Sequence, residues 1–165
     1  MLIIAETSRL LIRSWMHYDL EEYSELVGDD SDDVALFSTE PCSRAEADLW
    51  RYQSEFDKWG WSRWAVVLKE TQELIGYCGF APYNKNIELG WRFLPEYKGV
   101  GLVVEAVEAV AAHGLDTLGF DSIISFASHD NRYAQEIMQQ SGMSLNRFEG
   151  WSNCTVACYS ISSPA

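Results

Sequence analysis

Two glycines one residue apart, Gly99-Val100-Gly101, run straight into a long apolar-faced stretch at Leu102–Leu118. Glycine reaches backbone conformations that other residues avoid, so the pair marks a tight turn. The stretch places Val103, Val107, Val110 and Gly114 on one side and Glu105, Glu108 and Asp116 on another, the signature of a helix lying on a sheet. Ahead of the turn, Asn86 to Leu94 reads as a strand stopped by Pro95; beyond the helix, Ser122–Ala127 is a short apolar strand. A strand, helix and strand in that order form a crossover, so the two strands must run parallel. This requirement points to an α/β chain.

The remaining elements fit around the crossover. Arg9 to Trp15 reads as a first strand, and Met1–Glu6 as a lead-in to it, too short and without the basic flank of a signal peptide. Asp19 with Glu22, and Ser43 with Glu46, have the spacing of capping boxes that open two helices. In the second helix, Ala45, Leu49, Tyr52, Phe56 and Trp59 form the apolar stripe. Trp64–Leu68 and Leu74–Phe80 read as a hairpin, Asn131 as the cap of a helix ending at Gly142, and Met143–Phe148 and Thr155–Ile161 as closing strands. The order is β-α-α-β-β-β-α-β-α-β-β, with seven strands. No linker or repeat divides residues 1–165, so a single domain is expected.

Composition narrows the function. The chain carries a formal charge of −13 and a pI near 4.5, which argues against nucleic acid as a partner and favours cationic or amine ligands. No apolar run approaches the length of a membrane span. The four cysteines show no CxxC pair, which suits buried free thiols in a reducing cytoplasm. Asp29–Asp33 lacks the glycine and closing glutamate of a calcium loop and reads as a solvated turn; no metal site is expected.

A glycine turn at a helix start is also a place for phosphate, because the first N–H groups of a helix are unpaired and its dipole is positive there. The residues match neither GxGxxG, since position 104 is Val, nor a Walker loop. Read alone, the motif fits a bare tight turn equally well.

Taken together, Glu6–Arg13, Leu74-Ile-Gly76, Glu88-Leu-Gly-Trp91, Tyr97–Ala106, Asn131 and Ser141-Gly-Met143 resemble the GNAT family of acyl-CoA-dependent N-acyltransferases. The likeness covers roughly residues 6–160 and is greatest to the branch acetylating the N-termini of ribosomal proteins. It implies a mixed, mostly antiparallel sheet whose fourth and fifth strands splay apart around acetyl-CoA. The backbone of Trp91, Arg92 and Phe93 would pair with pantetheine. The N–H groups of Lys98, Gly99, Val100, Gly101 and Leu102 would hold the pyrophosphate, and Asn131 would close the far side. Many members carry a tyrosine acid seven residues after the asparagine; here that position is Met138.

Acyl transfer to an amine needs the amine neutral. Deprotonating a lysine-like amine at pH 7 costs about 4.6 kcal/mol, and an α-amine only about 1. Glu88, two residues before Gly90, is the first candidate for the base, although strand alternation leaves both faces open to it. His129, at the end of the fifth strand, is the second, and Tyr97 a remote substitute for the missing acid. Trp50, Tyr52, Trp59, Trp61 and Trp64 read mostly as core, with one or two lining an acceptor pocket. With the acidic Asp29–Asp33 stretch they lead to an acceptor of positive charge beyond the reacting nitrogen. No Ser or Cys sits in a His–acid constellation, so direct attack in a ternary complex is expected, by a monomer or homodimer. The rival is an acyl-CoA-binding module without turnover.

Overall fold

The computed structural model describes residues 1–28 and 43–164. The Asp29–Asp33 turn and Cys42 lie outside the described residues.

One sheet of eight strands runs through the molecule in the order β1-β2-β3-β4-β5-β6-β8-β7. Its strands are β1 (Ile3–Glu6), β2 (Leu10–Arg13), β3 (Arg63–Leu68), β4 (Glu73–Tyr83), β5 (Asn86–Phe93), β6 (Ser122–Ser128), β7 (Ser144–Trp151) and β8 (Cys154–Ser162). Every neighbouring pair is antiparallel except β5 and β6. The expected seven strands become eight because the lead-in is itself a strand, paired with β2 through Ile3 and Arg13. Four residues at a sheet edge, apolar for most of their length, show no alternation from which a strand can be read.

Among the described residues, four helices cover the two faces. On one lie α1 (Leu20–Val27) and α2 (Arg44–Trp59), burying Tyr23, Leu26, Ala45 and Tyr52 against Ala65, Val67 and Leu74. On the other lie α3 (Leu102–Ala112) and α4 (Arg132–Gln140), which join Trp64, Val66, Ile75, Phe80, Leu89 and Ile123 in the larger core. The helix expected to reach Leu118 is α-helical only to Ala112 and closes in a π-type turn, His113–Thr117, where the Leu118 N–H reaches the His113 carbonyl at 3.0 Å. Gly114 sits there because a Cβ would press on Phe80, Phe120 and Ile123.

Two of the three caps stand. The Ser43 hydroxyl accepts from Glu46 N at 3.2 Å, and Asn131 Oδ1 accepts from Ala134 N at 3.1 Å. The Asp19–Glu22 box does not form. Asp19 is buried instead in a two-bonded pair with Arg13, at 2.8 and 2.9 Å, while Glu22 accepts from the Leu74 backbone. A guanidinium matching both carboxylate oxygens outcompetes a single N–H.

The aromatic and cysteine expectations hold only in part. Trp64 and Tyr52 are core, but Trp50 is 74% exposed and Trp59 is stacked on Trp61 at the surface side of α2. Cys78 and Cys158 are buried free thiols, whereas Cys154 is exposed. No described helix is long and apolar enough to cross a membrane.

Candidate active site

The parallel pair is where the sheet opens. β5 and β6 are in register at Glu88 and Ile124 alone, and beside that point the Ser125 hydroxyl donates to the Leu89 carbonyl at 2.7 Å. The Leu89 carbonyl faces β6, so by strand alternation the backbone groups of Trp91 and Phe93 face the same way. No described strand meets them there. A cleft of about 380 Å³ occupies the gap, and Glu88, Trp91, Arg92, Phe93, Lys98 and Asn131 all line it.

The glycine turn sits at one end of this gap. Gly99 and Gly101 both have φ of +83°, a left-handed geometry that L side chains rarely adopt. A Cβ on Gly99 would stand in open space, so the backbone there can be approached closely. Gly99, Gly101 and Tyr133 line an adjoining cavity of about 250 Å³. Val100 and Leu102 offer only their backbone: the first side chain is exposed and the second is buried in the core. The Gly99 N–H donates to the Tyr133 hydroxyl at 3.2 Å. Glycines at positive φ, unpaired helix N–H groups and a gap edged by free strand backbone fit a nucleotide thioester such as acetyl-CoA.

Glu88 lies on the α1/α2 face of β5, with Gly90 and Arg92, which answers the question of its direction. Its carboxylate stands 3.7 Å from the Arg63 guanidinium and is partly exposed. Arg63 crosses from β3 over Gly90, where any Cβ would strike the guanidinium. Its Nη1 is buried without a hydrogen-bond partner.

A second cavity, of about 430 Å³, adjoins the cleft on this face and shares Arg63, Tyr77 and Arg92 with it. Tyr23, Tyr52, Arg44, Arg51 and Asp48 complete its polar lining. The Tyr23 hydroxyl donates to Asp48 at 2.7 Å; burial, then the neighbouring Tyr52 and Asp48, raise its pKa far above that of a free phenol. The described lining is therefore cationic, whereas the Asp29–Asp33 stretch on which the cationic-acceptor expectation rests lies outside the described residues. Net charge of the whole chain did not reveal the sign of this cavity.

Two candidates fall elsewhere. His129 is not among the cleft-lining residues; its Nδ1 lies 3.2 Å from the Thr155 carbonyl on β8. The Tyr97 hydroxyl donates to Glu73 at 2.9 Å and is outside the lining too. Met138 is wholly buried in the core. Sequence reasoning missed Arg63, Tyr77 and Tyr133. Arg63 was signalled only by register: a charged residue on β3 opposite Gly79, which in turn lies opposite Gly90.

A sheet parted beside a glycine turn in this way defines a class, the acyltransferases that draw on a nucleotide thioester. Residues 9–144 match the acetyltransferase (GNAT) domain, and the chain belongs to that family of enzymes, which move an acetyl group from acetyl-CoA to an amine. It is 25% identical over 144 residues to YoaA, an uncharacterised N-acetyltransferase of Bacillus subtilis, covering 84% of this chain and 81% of the relative. A GNAT-family acetyltransferase from Bacillus anthracis superposes with a TM-score of 0.72 at 25% identity, over 98% of both chains. A ribosomal-protein-S5-alanine acetyltransferase from Vibrio fischeri gives 0.75 at 14% identity, over 96% of this chain and 95% of that one, a likeness of fold.

Proposed function

We propose that this enzyme acetylates a primary amine by direct attack, with Glu88 as the proton acceptor and the Lys98–Leu102 turn, whose Lys98 N–H already donates to the Pro95 carbonyl at 3.2 Å, as the seat of the CoA diphosphate. The observation that carries the reading is the position of Glu88 at the one point where β5 and β6 meet, lining the cleft beside Arg63, a residue the second cavity shares. When bound, acetyl-CoA supplies an acyl thioester. The Trp91 and Phe93 backbone is free to pair along it, and Trp91 N–H can donate to the carbonyl oxygen, where such a donor is worth a few kcal/mol. Lys98 and Asn131 border the same gap. The amine nitrogen bonds to the carbonyl carbon as the carbon–sulfur bond breaks. Its proton passes to Glu88, directly or through one water. The departing thiolate, with a pKa near 8.5, costs about 2 kcal/mol to release unprotonated at pH 7, so the burial of Met138 is no obstacle.

Direct attack is supported by the described cysteines. Burial pushes the Cys78 thiol up to about 12 and raises Cys158 as well, which disarms both as nucleophiles. Cys154 is exposed and outside the cleft lining.

The favoured acceptor is the α-amine of a peptide or protein, as in the ribosomal-protein branch, with a small amino compound next. In this reading the enzyme works in the cytoplasm, without nucleic acid or membrane as partner, as a monomer or homodimer. Calorimetry with CoA, followed by thiol release over an amine panel, tests it. Binding in the micromolar range with amine-dependent release is expected, and Gly99→Glu should abolish both. No heat with CoA would sink the proposal.

A further inference from the structure

We infer that the acceptor amine carries an oxyanion, a carboxylate or phosphate group, near its reacting nitrogen, and that Arg63 and Arg92 recognise it. The inference rests on the reading that this chain acetylates an amine beside Glu88, and it names the class of that amine.

The first observation is the charge of the second cavity. Four arginines line it against one described carboxylate, Asp48. Asp48 is already engaged by the Tyr23 hydroxyl at 2.7 Å, by Arg51 at 3.4 Å and by Arg44 at 3.9 Å. Arg51 turns further, toward Glu55 and over the Tyr52 ring. Asp48 is thus committed to the helix side, which leaves Arg63 and Arg92 as the cations nearest Glu88.

The second observation is that Arg63 is under-satisfied. Its side chain is only 16% exposed and Nη1 is buried with no acceptor; Glu88 touches the other nitrogen, Nη2, at a loose 3.7 Å. A buried guanidinium N–H without a partner is costly, and an oxyanion satisfies it with charge assistance. The fold holds this unsatisfied group in place: Gly90 clears the space for the guanidinium, and the Tyr77 ring lies under it at 5.7 Å.

The third observation is register. Tyr77 is opposite Arg92 and also opposite Ala65, two pairs along from Arg63 opposite Gly79. Arg92 therefore lies on the same face as Arg63 and Glu88, lines both cavities, and makes no hydrogen bond or ion pair with any described residue. Two guanidinium groups and one carboxylate on one patch match a zwitterionic acceptor: the ammonium goes to Glu88 and the oxyanion to the arginines. A second cation in the acceptor would be repelled by these arginines at a range well inside the roughly 8 Å screening length of physiological salt.

The test compares acceptors of matched amine pKa at saturating acetyl-CoA. Tripeptides beginning with Asp, Asn or Lys share an ordinary α-amine and differ in side-chain charge; 2-aminoethyl phosphate against ethanolamine forms the phosphate arm. In at least one arm the anionic acceptor is expected to lead its neutral partner by tenfold or more in kcat/KM, chiefly through KM, with the Lys peptide poorest. The leading arm identifies the oxyanion as carboxylate or phosphate. Arg92→Met, at an exposed position, and Arg63→Gln should each reduce the preference below threefold. Equal or better turnover of the neutral or Lys acceptors, or a preference that survives both variants, overturns the inference while acetyl transfer stands. If CoA binds without heat and no acceptor releases thiol, the underlying reading falls and takes this inference with it.

Discussion

Arg9 Nε lies 2.7 Å from Glu105 Oε2, joining the start of β2 to the first turn of α3 across 96 residues of sequence. The same guanidinium donates to the Val100 carbonyl at 3.1 Å, between the two left-handed glycines, and the Arg9 backbone and Ser8 hydroxyl both donate to Glu105 Oε1. The clamp fixes the turn that would seat the diphosphate. Arg9→Met is expected to raise the CoA dissociation constant about fivefold, equivalent to about 1 kcal/mol. Because Arg9 is half exposed, the stability loss should stay at or below about 1 kcal/mol, a few degrees in Tm. Burial by itself would raise the Glu105 pKa, but hydrogen bonds from Ser8, Thr7 and Arg9 outweigh it and hold the carboxyl below its ordinary value. A depressed carboxyl contributes stability above its unfolded pKa and loses it as pH falls through the folded one. Wild type should therefore lose more stability than Glu105→Gln on acidification below about pH 4.5. Thermal melts across pH 3–7 with CoA titrations would settle both points, and parallel acid profiles would refute the clamp.

Gly79 and Gly90 face each other across β4 and β5, yet substitution should separate them. A Cβ on Gly79 would strike the Ser62 carbonyl and the Arg63 backbone, which cannot move independently of the sheet. A Cβ on Gly90 would meet only the flexible end of Arg63. Gly79→Ala is expected to cost about 2–3 kcal/mol by overpacking. Gly90→Ala should melt within a few degrees of wild type while losing kcat/KM tenfold or more, since it expels the guanidinium from beside Glu88. Melting curves and steady-state kinetics on the two variants decide this, and equal destabilisation would refute the assignment of Arg63 to the site.

Glu88→Gln tests the base. General-base removal typically costs 10²–10⁴ in rate, and the loss should depend on the amine. A lysine-like amine, about 4.6 kcal/mol from neutrality at pH 7, needs the base more than an α-amine about 1 kcal/mol away. The variant should therefore lose most on the high-pKa acceptor and recover partly as pH rises from 6 to 9. Rates unchanged over that range with both acceptors would remove Glu88 from the mechanism.

The crossover was legible because it is local. Two glycines, an amphipathic helix and two flanking apolar strands sit in one continuous stretch, and the glycine turn, cleft and Asn131 cap followed where expected. What stayed hidden depends on which residues the folded chain brings side by side. Asp19 looks like a helix cap until Arg13 folds beside it; Glu88 has two possible faces until β4 fixes its register; Arg63 is one strand residue among others until Gly90 lies beneath it. The sign of the described cavity lining was hidden for the same reason. Formal charge sums over the surface, whereas a cavity samples a few side chains brought together from α2, β3 and β5.

Tyr133 supplies the last prediction. Its hydroxyl accepts the Gly99 N–H at 3.2 Å, and its ring borders both the cleft and the cavity beside the glycines. With its oxygen on that N–H, the hydroxyl hydrogen remains to be donated, and an anion settling on the turn is the acceptor closest in chemistry. A hydrogen bond to a charged group contributes about 1.5–3 kcal/mol, and partial exposure puts this one at the lower end. Tyr133→Phe should thus weaken CoA about tenfold, with little effect on Tm, because the ring keeps its packing and loses one oxygen. Dephospho-CoA, which retains the diphosphate and lacks the 3′-phosphate, should show the same ratio between wild type and variant. If that ratio fell to one with dephospho-CoA, the hydroxyl would serve the 3′-phosphate and the turn would have to hold the diphosphate without it.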